Sequence, residues 1–388
     1  MKLIVVLFFS LTLSPCFSQN QHTGIIIDSE TKEPVEFVGV FNSKDYTISN
    51  EDGRYAFSSD KDSVVFYKVG YEKLETTFDQ LRYTIFLDKS VLELNEVIVT
   101  NGKTLYQKIK DSINKNYKFE PYKEKFLLRA IAKKNNEIWR IQDLLGKLKR
   151  KTLFYNKEIE KSKKDYEVEL TNMRKLGGVS DENNAYLKFP SFNQIFTEFI
   201  TMNIKESELD IEERYFDNGK KIRLEFSSRP EEEIKNITGY YILDAESYAI
   251  ESYHFKSVPK NGPFKKNKFL RYRNSYYDVS VFFKKSYEKN AYFISSAKSV
   301  YKVETTNEEK SFNLVYELNS ILTTSDNFGA FKVKKNVNAS KDLFKLKYPY
   351  NPGFWNTQNQ LLLTEEMKEF IKKMGEENTE FKVRSNMN

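Results

Sequence analysis

The amino-acid sequence predicts a mainly β protein in two parts. A small β-sandwich comes first, followed by an α+β domain built on a large antiparallel sheet, half-barrel in form, with a few covering helices. Three observations predict it. The chain of 388 residues carries 31 Phe, 25 Tyr and 2 Trp, and aromatic and β-branched side chains fit a pleated, half-buried surface. Glycine occupies only 14 positions, which argues against the glycine-rich loops that cradle nucleotide phosphates. Short apolar runs recur between Asn, Asp and Gly turns, whereas helical spacing is confined to a few stretches. With 39% hydrophobic and 30% charged residues, the chain has enough apolar surface to build cores and is not a disordered polymer.

Lys2 precedes an apolar run, Leu3 to Leu13, broken by Ser10 and Thr12, and Pro15-Cys16-Phe17-Ser18 follows. A basic start, a short apolar core and small residues form the layout of a secretory signal peptide, here residues 1–18, with cleavage after Ser18 or Gln19. The run is too short for a membrane anchor, which needs about 18 apolar residues. Lipidation at Cys16 is the alternative, opposed by Pro15 where such signals carry Gly, Ala or Ser. The expected location is therefore the periplasm or outer membrane, or the exterior. Cys16 is the sole cysteine, so the exported chain has no internal disulfide, and cysteine nucleophiles and Cys-ligated zinc or iron–sulfur centres are excluded. A net charge of +7 is mild, and beside an export signal it does not point to nucleic acid.

Residues 22–99 read as the sandwich. Gly24–Ile27, Val35–Phe41, Arg54–Phe57, Val64–Lys68, Thr84–Leu87 and Val97–Val99 are strand-like runs separated by turn residues. Asn50-Glu51-Asp52-Gly53 reads as a hairpin turn, with Gly53 taking the positive φ that a Cβ opposes. A calcium loop at Asn50 and Asp52 lacks further ligands.

Gly24-Ile25-Ile26-Ile27-Asp28, Thr31-Lys32-Glu33-Pro34-Val35, Val38-Gly39-Val40, Ser49 to Tyr55 and Val69-Gly70-Tyr71-Glu72 resemble, in order and spacing, the carboxypeptidase-regulatory-like domain. The resemblance implies a transthyretin-like sandwich of seven strands and no catalysis of its own. Leu92 to Val99 is similar to the segment that follows this module in TonB-dependent outer-membrane receptors of Bacteroidota type. The 289 residues after Val99 are too few for a plug and a 22-stranded barrel.

Residues 103–388 read as a helix-led, β-rich domain with a C-terminal helix. Leu105, Ile109, Ile113 and Tyr117 recur every four residues, which predicts an amphipathic helix over Thr104–Tyr117. Strand-like runs follow at Phe126–Ala132, Arg214–Phe226, Ile237–Leu243, Tyr248–Lys256, Tyr276–Tyr287, Ala291–Thr305 and Ser311–Leu322, joined by tight polar turns such as Lys134-Asn135-Asn136, Asp217-Asn218-Gly219 and Glu288-Lys289-Asn290. These predict an antiparallel meander. Phe192, Ile195, Phe196, Phe199 and Ile200 predict one covering helix, and Met367, Phe370, Ile371 and Met374 another that ends at Gly375. Asn114-Lys115-Asn116-Tyr117, Arg129 before Lys133-Lys134-Asn135-Asn136, and Tyr350 to Trp355 resemble landmarks of secreted carboxypeptidase-like regulatory-domain proteins of Bacteroidota. That family carries no assigned activity. Residues 177–188 show no landmark and read as loop.

The chemistry is sparse. His22 is expected in a flexible N-terminus and His254 in a strand, and no HExxH, His-x-x-Glu, Gly-x-Ser-x-Gly or phosphate-loop pattern occurs. Glu206, Glu208, Asp210 and Glu212 alternate, so a strand would place four carboxylates on one face; glycoside hydrolysis needs such a pair with one raised pKa, and a solvated face is the plainer reading. Lys256, Lys260, Lys265, Lys266, Lys268, Arg271 and Arg273 make residues 256–273 a basic loop without an acid, suited to an anionic membrane surface. No catalytic, cofactor-binding or metal-binding residue is assigned. The expected function is a non-enzymatic cell-envelope binding or accessory protein with the sandwich as interaction module, its partner an envelope protein or an apolar or glycan ligand. The alternatives are a periplasmic carrier holding an acyl chain in the half-barrel and, last, a glycan-active enzyme.

Overall fold

The structure, a computed structural model, describes residues 20–90, 104–118, 120–150, 153, 166–178, 188–199, 209–229, 235–259, 262–266, 270–286, 288–307, 313–325, 327–358, 360–376 and 385–387. The expected signal peptide at 1–18, Leu92–Val99 with its expected strand at 97–99, Ile200, Glu206, Glu208, Lys260 and Lys268 lie outside these residues.

Seven strands build the N-terminal sandwich: β1 (Asn20–Asp28), β2 (Gly39–Phe41), β3 (Tyr46–Ile48), β4 (Arg54–Ser59), β5 (Ser63–Tyr67), β6 (Leu74–Thr77) and β7 (Thr84–Leu87). They form two sheets, β4-β1-β7 and β3-β2-β5-β6. Alternating side chains from both, among them Ile26, Val38, Val40, Tyr55, Phe57, Val64 and Phe66, meet in one core. Three expectations change. The run at Val35 does not extend until Gly39, because Phe37 sits at a φ of 54°. The turn at Asn50–Gly53 joins β3 to β4, which belong to different sheets, so it is a link between layers and not a hairpin. His22 is not loose: it lies in β1 opposite Phe57, with Nδ1 3.0 Å from the Tyr55 hydroxyl. β3 and β6, short and poor in apolar residues, had no sequence signal.

The second part is one eleven-stranded antiparallel sheet. Its strands are β8 (Tyr122–Lys134), β9 (Glu137–Arg150), β10 (Tyr166–Gly177), β11 (Leu209–Phe216), β12 (Lys221–Ser228), β13 (Lys235–Asp244), β14 (Ile250–Pro259), β15 (Lys265–Lys266), β16 (Arg271–Ser286), β17 (Ala291–Thr306) and β18 (Asn313–Ser325). The order is β10-β9-β8-β18-β17-β16-β14-β13-β12-β11, with the short β15 on β16. Asn135 and Asn136 both take positive φ, 51° and 72°, the geometry a two-residue turn needs to match strand twist. Asp217, Asn218 and Gly219 do the same between β11 and β12.

Among the described residues four α-helices complete it: α1 (Leu105–Asn116), α2 (Phe192–Glu198), α3 (Pro352–Thr357) and α4 (Glu365–Glu376). Thr104 caps α1, and a reciprocal Ser191/Gln194 pair caps α2. α4 runs one residue past Gly375.

The centre of the sheet is covered on both faces, which explains the unbroken apolar run at β8. Phe126, Leu128, Ala130 and Ala132 point to an inner face filled by α1, α2, Phe189, Leu343 and Phe344. Leu127 and Ile131 point to an outer face against the sandwich and α4. A strand buried on two sides loses the polar alternation that marks a strand with one wet face. The edge strand β10 is covered too. Asn336 exchanges both side-chain hydrogen bonds with Leu170, at 2.7 and 2.8 Å, and Asn386 does comparable work at Lys175 and Met173, protecting an edge that would otherwise invite pairing.

Candidate functional site

The positions singled out from sequence are dispersed. His254 on β14 places Nε2 3.1 Å from Asp278 Oδ2 on β16, and the Tyr276 hydroxyl donates to the same oxygen at 3.0 Å. Burial pushes the Asp278 carboxyl up, but His254, Tyr276 and Lys256 outweigh it and hold the group below its ordinary range. This is a half-buried polar link between two strands, with the imidazole tilted against the Tyr240 ring. Asp210 and Glu212 are exposed on β11, where Asp210 lies 3.5 Å from Arg229 and Glu212 2.7 Å from Arg214. The basic stretch is not a loop throughout. Lys256 belongs to β14, Lys265 and Lys266 form β15, and Arg271 and Arg273 begin β16, with Arg273 paired to Glu304 at 2.6 Å. Strand pairing continues through it because Lys265 and Lys266 register against Tyr272 and Arg271. Among the described residues no three His, Cys, Asp or Glu side chains gather as a metal-ligand set, and no helix is long and apolar enough to cross a membrane.

The substantial surface that sequence reading missed lies between the two parts. The sandwich docks on the outer face of the sheet through Phe37 and Ile48, which pack with Leu127, Ile321 and Leu361. Polar contacts fix the register. The Tyr46 hydroxyl donates to Ser296 Oγ at 3.1 Å, Thr47 Oγ1 donates to the Gln360 carbonyl at 2.6 Å, and Lys298 Nζ pairs with Glu36 at 3.0 Å while lying over the Phe37 ring. The turn at Asn50 takes part as well: Asp52 Oδ2 accepts from the backbone N–H of Glu365, the first residue of α4, at 3.0 Å.

Beneath this contact a buried charge cluster ties the C-terminal segment to the sheet. Asp143 on β9 sits between Arg129 on β8 and Arg174 on β10; Arg129 Nε donates to it at 2.7 Å and Arg174 Nε at 3.1 Å. Arg129 also donates to the carbonyls of Leu361 and Leu362, at 3.0 and 2.8 Å, and Arg174 lies over the Trp355 ring. Burial pushes the Asp143 carboxyl up, and the two guanidiniums overcome it, so the group stays ionised below its usual range. Arg129 and Trp355, far apart in sequence, thus meet at one anchor of the fold. Asn116 and Tyr117 form another, donating to the carbonyls of Ser247 and Ile250 at 2.9 and 2.6 Å.

Docking leaves a cleft of about 1080 Å³ beside the contact, lined on the sandwich side by Phe41, Asn42 and Tyr46 and on the sheet side by Lys284, Lys285 and Phe293. Lys284 Nζ donates to the Asn42 carbonyl at 3.1 Å and lies 4.4 Å from the centre of the Phe41 ring. Burial pulls its pKa down to about 8, with Asp45 opposing. A narrower cleft of about 310 Å³ adjoins it and shares Tyr46, Lys125 and Thr324. A third, of about 700 Å³, lies between the Glu51–Asp52 turn, the start of α4 and the strands β16 to β18, and is lined by opposed charges such as Lys133, Lys302, Glu317 and Glu366. The sequence offered one signal for the first cleft, the Lys284-Lys285 doublet closing the run Val279–Phe283, apolar but for Ser280.

No protein-family model matches the chain, and no curated protein matches it. Among solved structures, one described as "lipid-protein interactions in lipovitellin" aligns with 64% of this chain at 10% identity and a TM-score of 0.23. This chain spans 30% of that protein's chain. The likeness carries no argument for fold or ligand.

Proposed function

We propose that this chain is an exported, non-enzymatic binding protein of the cell envelope, and that the cleft between sandwich and sheet is its ligand-binding surface. The observation that carries the reading is the docking itself. The sandwich is held against the sheet by an apolar cluster and several hydrogen bonds, so it serves as one wall of a preformed site more than as a free interaction module. A concave site with aromatic walls and a few placed polar groups is the usual form of a binding pocket. The acyl-carrier reading needs an apolar cavity of about 300 Å³ or more. The inner face is instead occupied around β8 by Phe192, Ile195, Phe196 and Phe344 of the same chain; the clefts of about 700 and 1080 Å³ are lined mainly by polar and charged side chains, and the one of about 310 Å³, lined in part by Phe126, Leu127 and Leu145, only just reaches that size. The carrier therefore ranks second. The glycan-active alternative has its described carboxylates, Asp210 and Glu212, exposed and paired with arginines.

The test is a saturation-transfer NMR screen of the purified chain against oligosaccharides, peptides and phospholipid micelles, with product analysis of each mixture. Binding without product is the expected result. Turnover abolished by His254→Ala, with folding intact, would overturn the non-enzymatic reading, and binding untouched by Ser43→Trp at the exposed rim of the cleft would overturn the assignment of the surface.

A further inference from the structure

We propose that the ligand of this cleft is an acidic saccharide whose carboxylate is received by Lys284. The proposal rests on the reading of the cleft as the binding surface and names the chemistry that surface selects.

The charge in the cleft is unbalanced in a specific place. Four lysines and two carboxylates line it. Lys44 is taken by Asp60 at 2.5 Å, and Glu288 by Lys289 at 2.7 Å. Asp45 accepts from Ser59 Oγ at 2.6 Å. Lys125 lies over the Phe331 ring, and Lys285, the next residue of β16, leaves the opposite face of the sheet over the Tyr292 ring. Lys284 makes no ion pair within 4 Å among the described residues; its neighbours are the Asn42 carbonyl and the rings of Phe41 and Tyr46, with Asp45 acting on it from farther away. The Asn42 carbonyl satisfies one of the three N–H bonds of Lys284, and the other two remain for a ligand. A half-buried ammonium also attracts an anion more strongly than one in bulk water, because the effective dielectric is lower.

The remaining groups suit a sugar body. Phe41, Tyr46 and Phe293 are half-buried, so part of each ring remains open to the apolar C–H face of a pyranose. Ser43, Ser325 and Gln360 add hydroxyl and amide groups that both donate and accept, as a ring of alternating hydroxyls requires. The volume of about 1080 Å³ lies just above the roughly 300–1,000 Å³ typical of ligand sites, room for several linked rings.

The experiment is isothermal titration of the full chain, at low ionic strength, with oligogalacturonate, neutral maltohexaose and inorganic tripolyphosphate. Oligogalacturonate is expected to bind more tightly than either of the others. Lys284→Met, which keeps the alkyl packing, is expected to raise its Kd about tenfold, whereas Lys285→Met on the opposite face of β16 leaves it unchanged. Three results overturn the proposal: equal affinity for maltohexaose, tripolyphosphate binding as tight as the oligosaccharide, or no oligogalacturonate binding. The first of these, if sensitive to Ser43→Trp, leaves the cleft standing as a site for another ligand; binding insensitive to Ser43→Trp removes the cleft reading as well.

Discussion

Replacing Gly53 by Ala isolates the link between the two layers of the sandwich. Gly53 has a φ of +70°, and a Cβ there would stand 2.6 Å from the Ile26 carbonyl oxygen and 3.2 Å from the backbone nitrogen of Val35. Two costs combine. A left-handed backbone at a residue with a Cβ costs about 1–2 kcal/mol. The Ile26 oxygen must also move, and it accepts from Val35 N at 2.9 Å while Ile26 N donates to the Gly53 carbonyl at 2.9 Å; weakening two such bonds adds about 2 kcal/mol. The expected loss is about 3–4 kcal/mol. Gly70 supplies the control, since its φ is +89° and a Cβ there would meet nothing within 4 Å, so Gly70→Ala should lose only the conformational part, about 1–2 kcal/mol. Both tryptophans, Trp139 and Trp355, lie outside the sandwich. The assay is therefore amide hydrogen exchange at Ile26, Tyr55 and Phe57, compared across urea concentrations. Equal losses for the two variants would refute the close approach of the turn to Ile26.

Asp143→Asn leaves the Arg129 and Arg174 guanidiniums buried without their counter-charge, and should cost about 3–5 kcal/mol in urea unfolding followed by fluorescence, to which Trp355 under Arg174 contributes. In the parent chain the depressed folded pKa of Asp143 makes its contribution complete above the ordinary carboxylate range and lost as pH falls through the lower folded value. Glu198, at the end of α2, behaves oppositely: burial pushes it up to about 7 against hydrogen bonds from Tyr277 and Ser299, so stability should fall as pH rises from about 4.5 to 7, and Glu198→Gln should flatten that slope in a series of melting curves. Lys284, pulled down to about 8, should lose its charge as pH rises through that value, weakening oligogalacturonate binding in titrations at pH 7 and 9. Over the interval from about 8 to the ordinary lysine pKa of about 10.4 the unfolded chain binds more protons, so folding stability should rise while binding falls.

Local pattern made much of this protein readable. The four-residue spacing at Leu105 to Tyr117 set α1, the asparagine pair 135–136 and Gly219 set turns of the meander, and strand-like aromatic runs set β12 to β14 and β16 to β18, because each depends on neighbours a few residues away. β9 and β10 escaped because they lie in the doubly covered part of the sheet. Their buried Arg140, Gln142, Asp143 and Arg174 look like a solvated sequence until partners from β8 and the C-terminal segment are in place. The candidate site escaped for the same reason in stronger form. Phe41 and Tyr46 are separated from Lys284 by more than two hundred residues, and only the packing of Phe37 and Ile48 on Leu127 and Ile321 brings them to one cleft. The sequence by itself determined the fold class and most strands of the sheet, since period and turn chemistry are local. The tertiary structure decided which buried charges are paired and which lysine of the Lys284-Lys285 doublet is left facing a cavity, since ion pairing depends on distances through space that no spacing along the chain encodes.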